Sequence, residues 1–225
     1  MTMTVPPWDL YREIHKAMRH ALFGVTSLAG QTDAADAHAV RGLHDEWQRV
    51  AFVLAGHHEH EDRFCDPLIV RHAPWLRDEV EAAHRRSESS LAHLHRSVER
   101  LVQSSAPESG SLLRTLYLDL ADFTAVYMGH LRDEEDRVMP ALNAALGNDE
   151  LCAVTAAIRG SVAPDAMCTY IRYMLPSMNF AERLEMLSGM HAGAPPQVFE
   201  MFRKAAQATL SAQQYGAVAA AAGFA

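Results

Sequence analysis

Residues 126–140 read Val-Tyr-Met-Gly-His-Leu-Arg-Asp-Glu-Glu-Asp-Arg-Val-Met-Pro, and this stretch decides the fold. It places His130 and Glu134 four positions apart in a segment with helical periodicity, and Pro140 lies just beyond. Side chains at positions i and i+4 lie one above the other on a single helix face. An imidazole and a carboxylate stacked in this way can both reach one metal ion. The stretch therefore predicts a metal-binding helix.

A near copy of this pattern occurs earlier in the chain. His57 and Glu61 are also four positions apart, and Pro67 follows them. Two helices of this kind that face each other across a bundle can hold two metal ions, as carboxylate and histidine pairs do in di-iron bundles. The repeated pattern predicts a two-metal site between two helices.

The rest of the chain reads as helix, because strand signals are almost absent and apolar residues recur at intervals of three and four. Long helices are predicted over residues 8–28, from near Asp33 or Asp36 to 64, and over 75–103 and 110–146. Short connections between long helices are typical of an up-down-up-down four-helix bundle. Shorter helices are predicted at 150–159, 164–174, 179–190 and 196–215, with a frayed tail after Tyr215. The prediction is an all-α protein with a bundle domain, 1–147, and a C-terminal helical extension, 148–225.

Each long helix carries a histidine at or near its predicted buried face, and two of the helices add a glutamate. The candidate metal ligands are His15, His57, Glu61, His84, His130 and Glu134. Imidazole suits iron, zinc and copper, whereas carboxylates favour harder ions. Several histidines with two glutamates that can bridge favour a pair of iron ions, with zinc or manganese as alternatives. The competing interpretation is a set of hydrogen-bonded histidines in a core that binds no metal.

Other polar residues near these positions receive different interpretations. Glu88 follows the third-helix histidine by four residues and is a ligand, a hydrogen-bond acceptor that orients a histidine, or a solvated side chain. His58 and His60 are predicted to point away from the site. Tyr11 and Tyr127 are predicted to pack in the core rather than to line a pocket.

Composition excludes several classes of function. The net charge of −8 argues against a general nucleic-acid binder, which usually has a basic face. No stretch of about 18 apolar residues exists, so no membrane span is expected. The first residues lack a basic run followed by an apolar core, so a cytoplasmic protein is expected. Three cysteines without close spacing predict neither a disulfide framework nor a cysteine zinc site.

With these motifs in place, the chain resembles the hemerythrin-like (HHE cation-binding) family over about residues 8–146. The family pattern is a histidine on the first helix, His-x-x-x-Glu on the second, a histidine on the third and His-x-x-x-Glu on the fourth. The matching residues are His15, His57 with Glu61, His84, and His130 with Glu134. The proline after each pair is also similar to the family. The resemblance implies a hemerythrin-like bundle with a non-haem di-iron centre.

The chain departs from the oxygen-carrying hemerythrins at two places. Those proteins have a second histidine where this chain has Glu88, and a His-x-x-x-x-Asp where this chain has Glu135 as the fifth residue after His130. Fewer histidine ligands disfavour simple reversible oxygen transport. The resemblance then implies a protein that binds or reacts with oxygen, peroxide or nitric oxide, with a stress response as the setting. The alternative is a metal- or oxygen-responsive sensor or adaptor without turnover, and the resemblance leaves open whether the protein is an enzyme.

The segment 150–225 resembles C-terminal extensions of some family members. The resemblance does not assign it a function, and three interpretations stay open. It is a cap over an exposed bundle face, a homodimer contact, or a site for a protein partner. The expected small-molecule partner is the oxidant itself.

Overall fold

The computed structural model describes residues 8–224, and these contain helices and no strand. The N-terminal helices are α1 (Arg12–Gln31), α2 (Ala37–His60), α3 (Asp66–His72), α4 (Arg77–Gln103), α5 (Ala106–Asp133) and α6 (Met139–Ala145). The C-terminal helices are α7 (Asn148–Ser161), α8 (Pro164–Ser177), α9 (Phe180–Gly193), α10 (Pro196–Thr209) and α11 (Ala212–Ala222). The predicted all-α fold, a helical bundle followed by further helices, is confirmed.

The chain forms two compact units, and each unit consists of two separate stretches of the sequence. The described residues of the first unit are 8–12 and 21–157, and those of the second are 13–20 and 158–224. The predicted division between residues 147 and 148 stays a prediction. No helix among the described residues combines the length and the apolar character that crossing a membrane requires.

In the first unit, α2 packs on α4 and α4 packs on α5. The apolar stripe of α2 drives this packing, and its fully buried members are Leu43, Trp47, Val50, Val53 and Leu54. Burying one such side chain stabilises the fold by about 1.5–3 kcal/mol. The second half of α1 meets α5 where the hydroxyls of Thr26 and Thr124 lie 3.0 Å apart. Close approach needs glycine at one point, since a Cβ on Gly30 would lie 3.1 Å from Cε2 of Tyr117.

The ends of the long helices show how local hydrogen bonds set their bounds. α1 begins at Arg12 rather than Trp8, because Oδ1 of Asp9 accepts the backbone N–H of Arg12 and holds the preceding turn. α2 begins as predicted after Asp36, whose carboxylate accepts two backbone N–H groups of the first turn. α5 begins at Ala106, earlier than predicted, since Pro107 is tolerated in a first helical turn.

Two π-helical turns, Glu61–Cys65 and Glu134–Val138, interrupt what the sequence predicts as continuous α-helices. Each turn begins at the glutamate of a histidine–glutamate pair. The carbonyl of Glu61 accepts the N–H of Asp66, five residues on, and that of Glu134 accepts the N–H of Met139. Each turn leads into a short helix, α3 or α6, with proline in its first turn. π-turns inside helices occur frequently at functional sites.

An apolar cluster closes the first unit where α3 and α6 pack together. Its buried members are Tyr11, Ile69, Ala73, Leu76, Val80, Val138, Met139, Leu142 and Leu151. Trp8 holds the N-terminal segment against α7, donating its backbone N–H to Asn148 and its indole N–H to Thr155, 2.8 Å away. This layer covers the end of the bundle that carries both histidine–glutamate pairs.

In the second unit, α8 packs on α10, and α9 packs on both α10 and α11. The predicted capping box of Asn179 and Glu182 is confirmed at the start of α9. The predicted helix 196–215 is wrong, because the chain breaks at Leu210 and Ser211 starts α11 with a capping box of its own. The frayed tail is also wrong: α11 buries two of its residues and Phe224 packs 5.1 Å from the ring of Phe199.

Candidate metal centre

Five of the predicted ligands lie together in the first unit, at the start of the two π-turns. Nε2 of His57 lies 3.4 Å from Oε1 of Glu61. On the other helix, Nε2 of His130 lies 3.3 Å from Oε1 of Glu134. His84, from α4, lies between the pairs, with its Nε2 3.5 Å from Glu61 and 3.6 Å from Glu134. All five side chains are at most 8 % exposed.

The two glutamates belong to two overlapping sets of ligand atoms. Glu61, His84, His130 and Glu134 offer atoms that all lie within 4.8 Å of one another, and the same holds for His57 with both glutamates. Glu61 turns one oxygen to His57 and the other to His84. A carboxylate arranged in this way can bridge two neighbouring cations. The i, i+4 spacing explains each pair, but the packing of α4 against α2 and α5 brings them to the same histidine.

The separations between nitrogen and oxygen atoms suit a shared cation better than direct hydrogen bonds. A charge-assisted N–H···O contact is about 2.7–2.9 Å long. Histidine nitrogen and carboxylate oxygen that bind one first-row metal at about 2.0–2.2 Å, with angles near 90–110°, lie about 2.8–3.6 Å apart. The observed range of 3.3–3.6 Å lies in the upper part of this interval. The donor set of imidazoles and carboxylates fits a divalent transition metal.

The electrostatic surroundings of Glu61 also favour a bound cation. Burial raises the pKa of Glu61 well above its usual range, and the neighbouring Glu134 raises it further. Neither carboxylate oxygen of Glu61 has a hydrogen-bond partner in the described part of the chain. A buried carboxylate without such partners is costly unless a cation or a proton compensates it. The cluster therefore has the chemistry of a cation site.

His84 is oriented from its far side by carboxylates that the sequence did not single out. Its Nδ1 lies 3.2 Å from Oδ1 of Asp62, and Asp66 belongs to the same group of potential ligand atoms. Burial alone would lower the pKa of His84, but Glu134, Asp66 and Asp62 outweigh it and raise the pKa. An Nδ1–H that donates to Asp62 leaves Nε2 as the atom that faces Glu61.

His58 lies beside the candidate site, which the sequence reasoning missed. The prediction that it points away from the site is wrong, since it is buried and its ring stacks 5.1 Å from that of His84. Its Nε2 lies 3.3 Å from the hydroxyl of Tyr127. Burial, with His84 and His130 nearby, lowers the pKa of His58 to about 4, so its imidazole is neutral at neutral pH. Leu54, four residues earlier and fully buried, was the available signal.

Two tyrosines are close to the cluster. Tyr127 is fully buried, and its ring lies 5.5 Å from that of His130, so it lines the site rather than only filling the core. Tyr11 is buried as well and shares a hydrogen bond with the thiol of Cys65. Burial raises the pKa of both Tyr11 and Cys65, so both groups stay neutral at neutral pH.

The remaining candidate residues differ in burial and in the unit to which they belong. His15 is fully buried on α1, in the segment 13–20 that belongs to the second compact unit. Glu88 is exposed on α4, which removes the ligand role considered for it. His60 is only half-buried. Of the three roles considered for Glu88, its exposure selects the solvated side chain.

Comparison with known proteins agrees with this geometry. A family model described as the hemerythrin HHE cation binding domain matches residues 7–154. This segment contains the histidines and glutamates of the candidate site. Neither curated proteins nor solved structures gave a significant match.

Proposed function

The chain belongs to the hemerythrin HHE cation-binding family, and from this premise we propose that it is a non-haem di-iron protein that binds or reacts with a small oxidant. Oxygen, peroxide and nitric oxide are the oxidants of suitable size. Iron is proposed over zinc or manganese because mixed imidazole and carboxylate ligands suit it and because it supplies redox chemistry. A cytoplasmic location is part of the same proposal.

One observation carries the proposal: two glutamates from different helices approach one histidine. Nε2 of His84 lies 3.5 Å from Glu61 and 3.6 Å from Glu134, and each glutamate also has a histidine of its own helix beside it. A site for a single cation needs no such duplication. Two shared carboxylates support a pair of cations as the ligand.

When bound, the iron ions would act as redox centre and Lewis acid. The chain's own residues would hold and shield them. His57, His84, His130 and the two glutamates would hold the ions, and the contact with Asp62 would keep Nε2 of His84 unprotonated. The buried apolar layer around Leu142 would keep bulk water out.

We propose His15 as the ligand from the first helix. α1 runs without a break from Arg12 to Gln31, and from Ala21 onward it belongs to the first unit. Six residues of α-helix span about 9 Å, so His15 lies less than two turns from that part of the helix. Its full burial and its place within the segment 7–154 that matches the family support this role.

The test is the metal content of the protein purified without chelator, together with its optical spectrum before and after addition of peroxide. We expect about two irons per chain and a charge-transfer band that responds to peroxide. His84→Ala should lose this band, whereas His93→Ala, an exposed histidine on the same helix, should keep it. Repeated turnover of peroxide would identify an enzyme, and a single stoichiometric response would favour the sensor.

Absence of metal after anaerobic reconstitution with iron would contradict the proposal. The histidines would then belong to a metal-free hydrogen-bonded core. If the protein contains two zinc or manganese ions per chain and does not respond to peroxide, the proposed cation site stands and the proposed reaction with an oxidant is wrong.

A further inference from the structure

A small pocket adjoins the candidate metal centre in the first unit. Its volume is about 50 Å³, and His130 and Glu134 form part of its wall. α4 supplies the facing wall, which includes Val80 and Ala83. A molecule in this pocket therefore lies next to two of the residues that would bind the metal.

An ion pair spans the walls of the same pocket. The guanidinium of Arg137 donates to both carboxylate oxygens of Glu79, with one N–O distance of 2.7 Å. Both side chains line the pocket, and they are 44 % and 52 % exposed. An exposed pair of this kind contributes little to stability, so it opens readily. Arg137 lies on the π-turn that begins at Glu134, whereas Glu79 lies on α4.

The size of the pocket limits what can occupy it. Since a water molecule takes about 30 Å³ of liquid, the pocket holds one or two molecules of that size. Oxygen, nitric oxide and hydrogen peroxide fit this volume. An alkyl hydroperoxide has too many heavy atoms to enter unless the Arg137–Glu79 pair separates.

We propose that this pocket is the port through which a small oxidant reaches the histidine–glutamate cluster, with the Arg137–Glu79 pair as its outer gate. The inference rests on the proposed function of the same site and adds the route and the size limit of the substrate. The port selects molecules of about two heavy atoms, because the gate closes over a pocket with no room for more.

One pair of variants tests the route. Ala83→Leu fills the pocket, and Ala82→Leu makes the same change next to it on α4 without lining the pocket. In iron-loaded protein with equal metal content, Ala83→Leu should lower the second-order rate constant for hydrogen peroxide about tenfold, a typical penalty for a pocket that is too small. Ala82→Leu should match the wild type.

A second pair tests the gate from the surface, where folding is not at risk. Arg137→Ala removes the gate, and Arg132→Ala removes a neighbouring exposed pair with Asp136 that does not line the pocket. Arg137→Ala should raise the rate for tert-butyl hydroperoxide relative to hydrogen peroxide several-fold, and Arg137→Lys should restore most of the selectivity. Arg132→Ala should leave the ratio unchanged.

A readout on metal-free protein is independent of any reaction at iron. Singlet oxygen, produced with a dye and light, oxidises histidine and is small enough for the pocket. Mass spectrometry can follow this modification at His130, which lines the pocket, and at the buried His58, which does not line it. Arg137→Ala should speed the modification of His130 relative to that of His58. Ala83→Leu should slow it.

The outcomes distinguish the two proposals. If iron-loaded wild type reacts with hydrogen peroxide but Ala83→Leu and Ala82→Leu behave alike, the port is wrong and the proposed function stands. Equal His130 modification in Arg137→Ala and Arg132→Ala refutes the gate. Slower iron loading in Ala83→Leu with unchanged oxidation would make the pocket a path for the cation and overturn the inference. Wild type that reacts with no oxidant overturns both proposals.

Discussion

The molecule contains buried glutamates of two kinds, one in each compact unit. In the second unit, Glu182 is 7 % exposed and accepts two contacts from Nζ of Lys16, at 2.7 and 2.9 Å, and the backbone N–H of Asn179 at 2.9 Å. In the first unit, Glu61 is 3 % exposed, and its oxygens lie 3.4 and 3.5 Å from histidine nitrogens. The two carboxylates are similarly buried but differently satisfied.

This difference distinguishes Glu182, a structural acid, from Glu61, a candidate metal ligand. Glu182 has a cation and a capped helix start built around it, so the protein itself compensates its charge. Glu61 has imidazoles and a second carboxylate around it, and burial raises its pKa. Its compensation has to come from a proton or from a cation outside the chain. Removing charge should therefore have opposite effects at the two sites.

The largest expected effect is the response of the first unit to iron. Binding to the folded state alone stabilises it by about 4 kcal/mol when free metal exceeds Kd a thousandfold. Glu61→Gln should abolish this gain. In metal-free protein at neutral pH it should leave stability equal or higher, because a charged Glu61 with a raised pKa destabilises the native state.

Denaturant unfolding of metal-free and iron-loaded protein measures both quantities. The matched control is Glu59→Gln, an exposed glutamate on the same helix, which should keep the full response to iron. A marked loss of metal-free stability in Glu61→Gln would show that Glu61 is a structural acid like Glu182.

The next effect is at the structural acid. Glu182→Gln breaks the contact with Lys16 and should destabilise the protein by about 1.5–3 kcal/mol, the usual range for a hydrogen bond to a charged group. The loss should be the same with and without iron. Glu185→Gln, exposed on the same helix, should change the unfolding midpoint little. A loss confined to iron-loaded protein would contradict the distinction between the two sites.

A smaller effect is expected at Asp62, which orients His84 from its far side. Asp62→Ala should weaken metal binding about tenfold, as removal of such a partner typically does. Competition with a chromogenic chelator measures the change in Kd. Asp119→Ala removes a similar contact with the exposed His93 and serves as the control. Equal Kd values for both variants would exclude an orienting role.

The smallest effect concerns a histidine remote from the centre. Burial lowers the pKa of His44, but its contacts with Asp45 and Glu99 outweigh this and raise it. A raised native pKa stabilises the fold below the unfolded pKa of about 6.5, and the gain is lost as pH rises through the native value. His44→Gln should thus cost less than about 1 kcal/mol, and only at acidic pH.

Unfolding of His44→Gln at pH 5.5 and pH 8 tests this sign. His38→Gln, exposed on the same helix, is the control and should show no such difference. A larger loss at pH 8 than at pH 5.5 would contradict the assignment.

The sequence alone determined the helical class and the face on which each candidate ligand lies. Both follow from local spacing: residues three and four apart share a helix face whatever the rest of the chain does. His57 with Glu61 and His130 with Glu134 were predictable for this reason. The capping box at Asn179 was predictable because it involves only residues of one helical turn.

Only the tertiary structure decided how the pairs combine. Both glutamates approach His84 because α4 packs against α2 and α5, and no local period encodes that packing. His58 is buried because a second face of α2 is also covered. Its neighbours in the sequence are polar, so the apolar pattern does not reveal this. The π-turns at Glu61 and Glu134 could not be predicted from the spacing of apolar residues. Each turn adds one residue to the helix and rotates the residues that follow it, and the composition of the segment does not signal this.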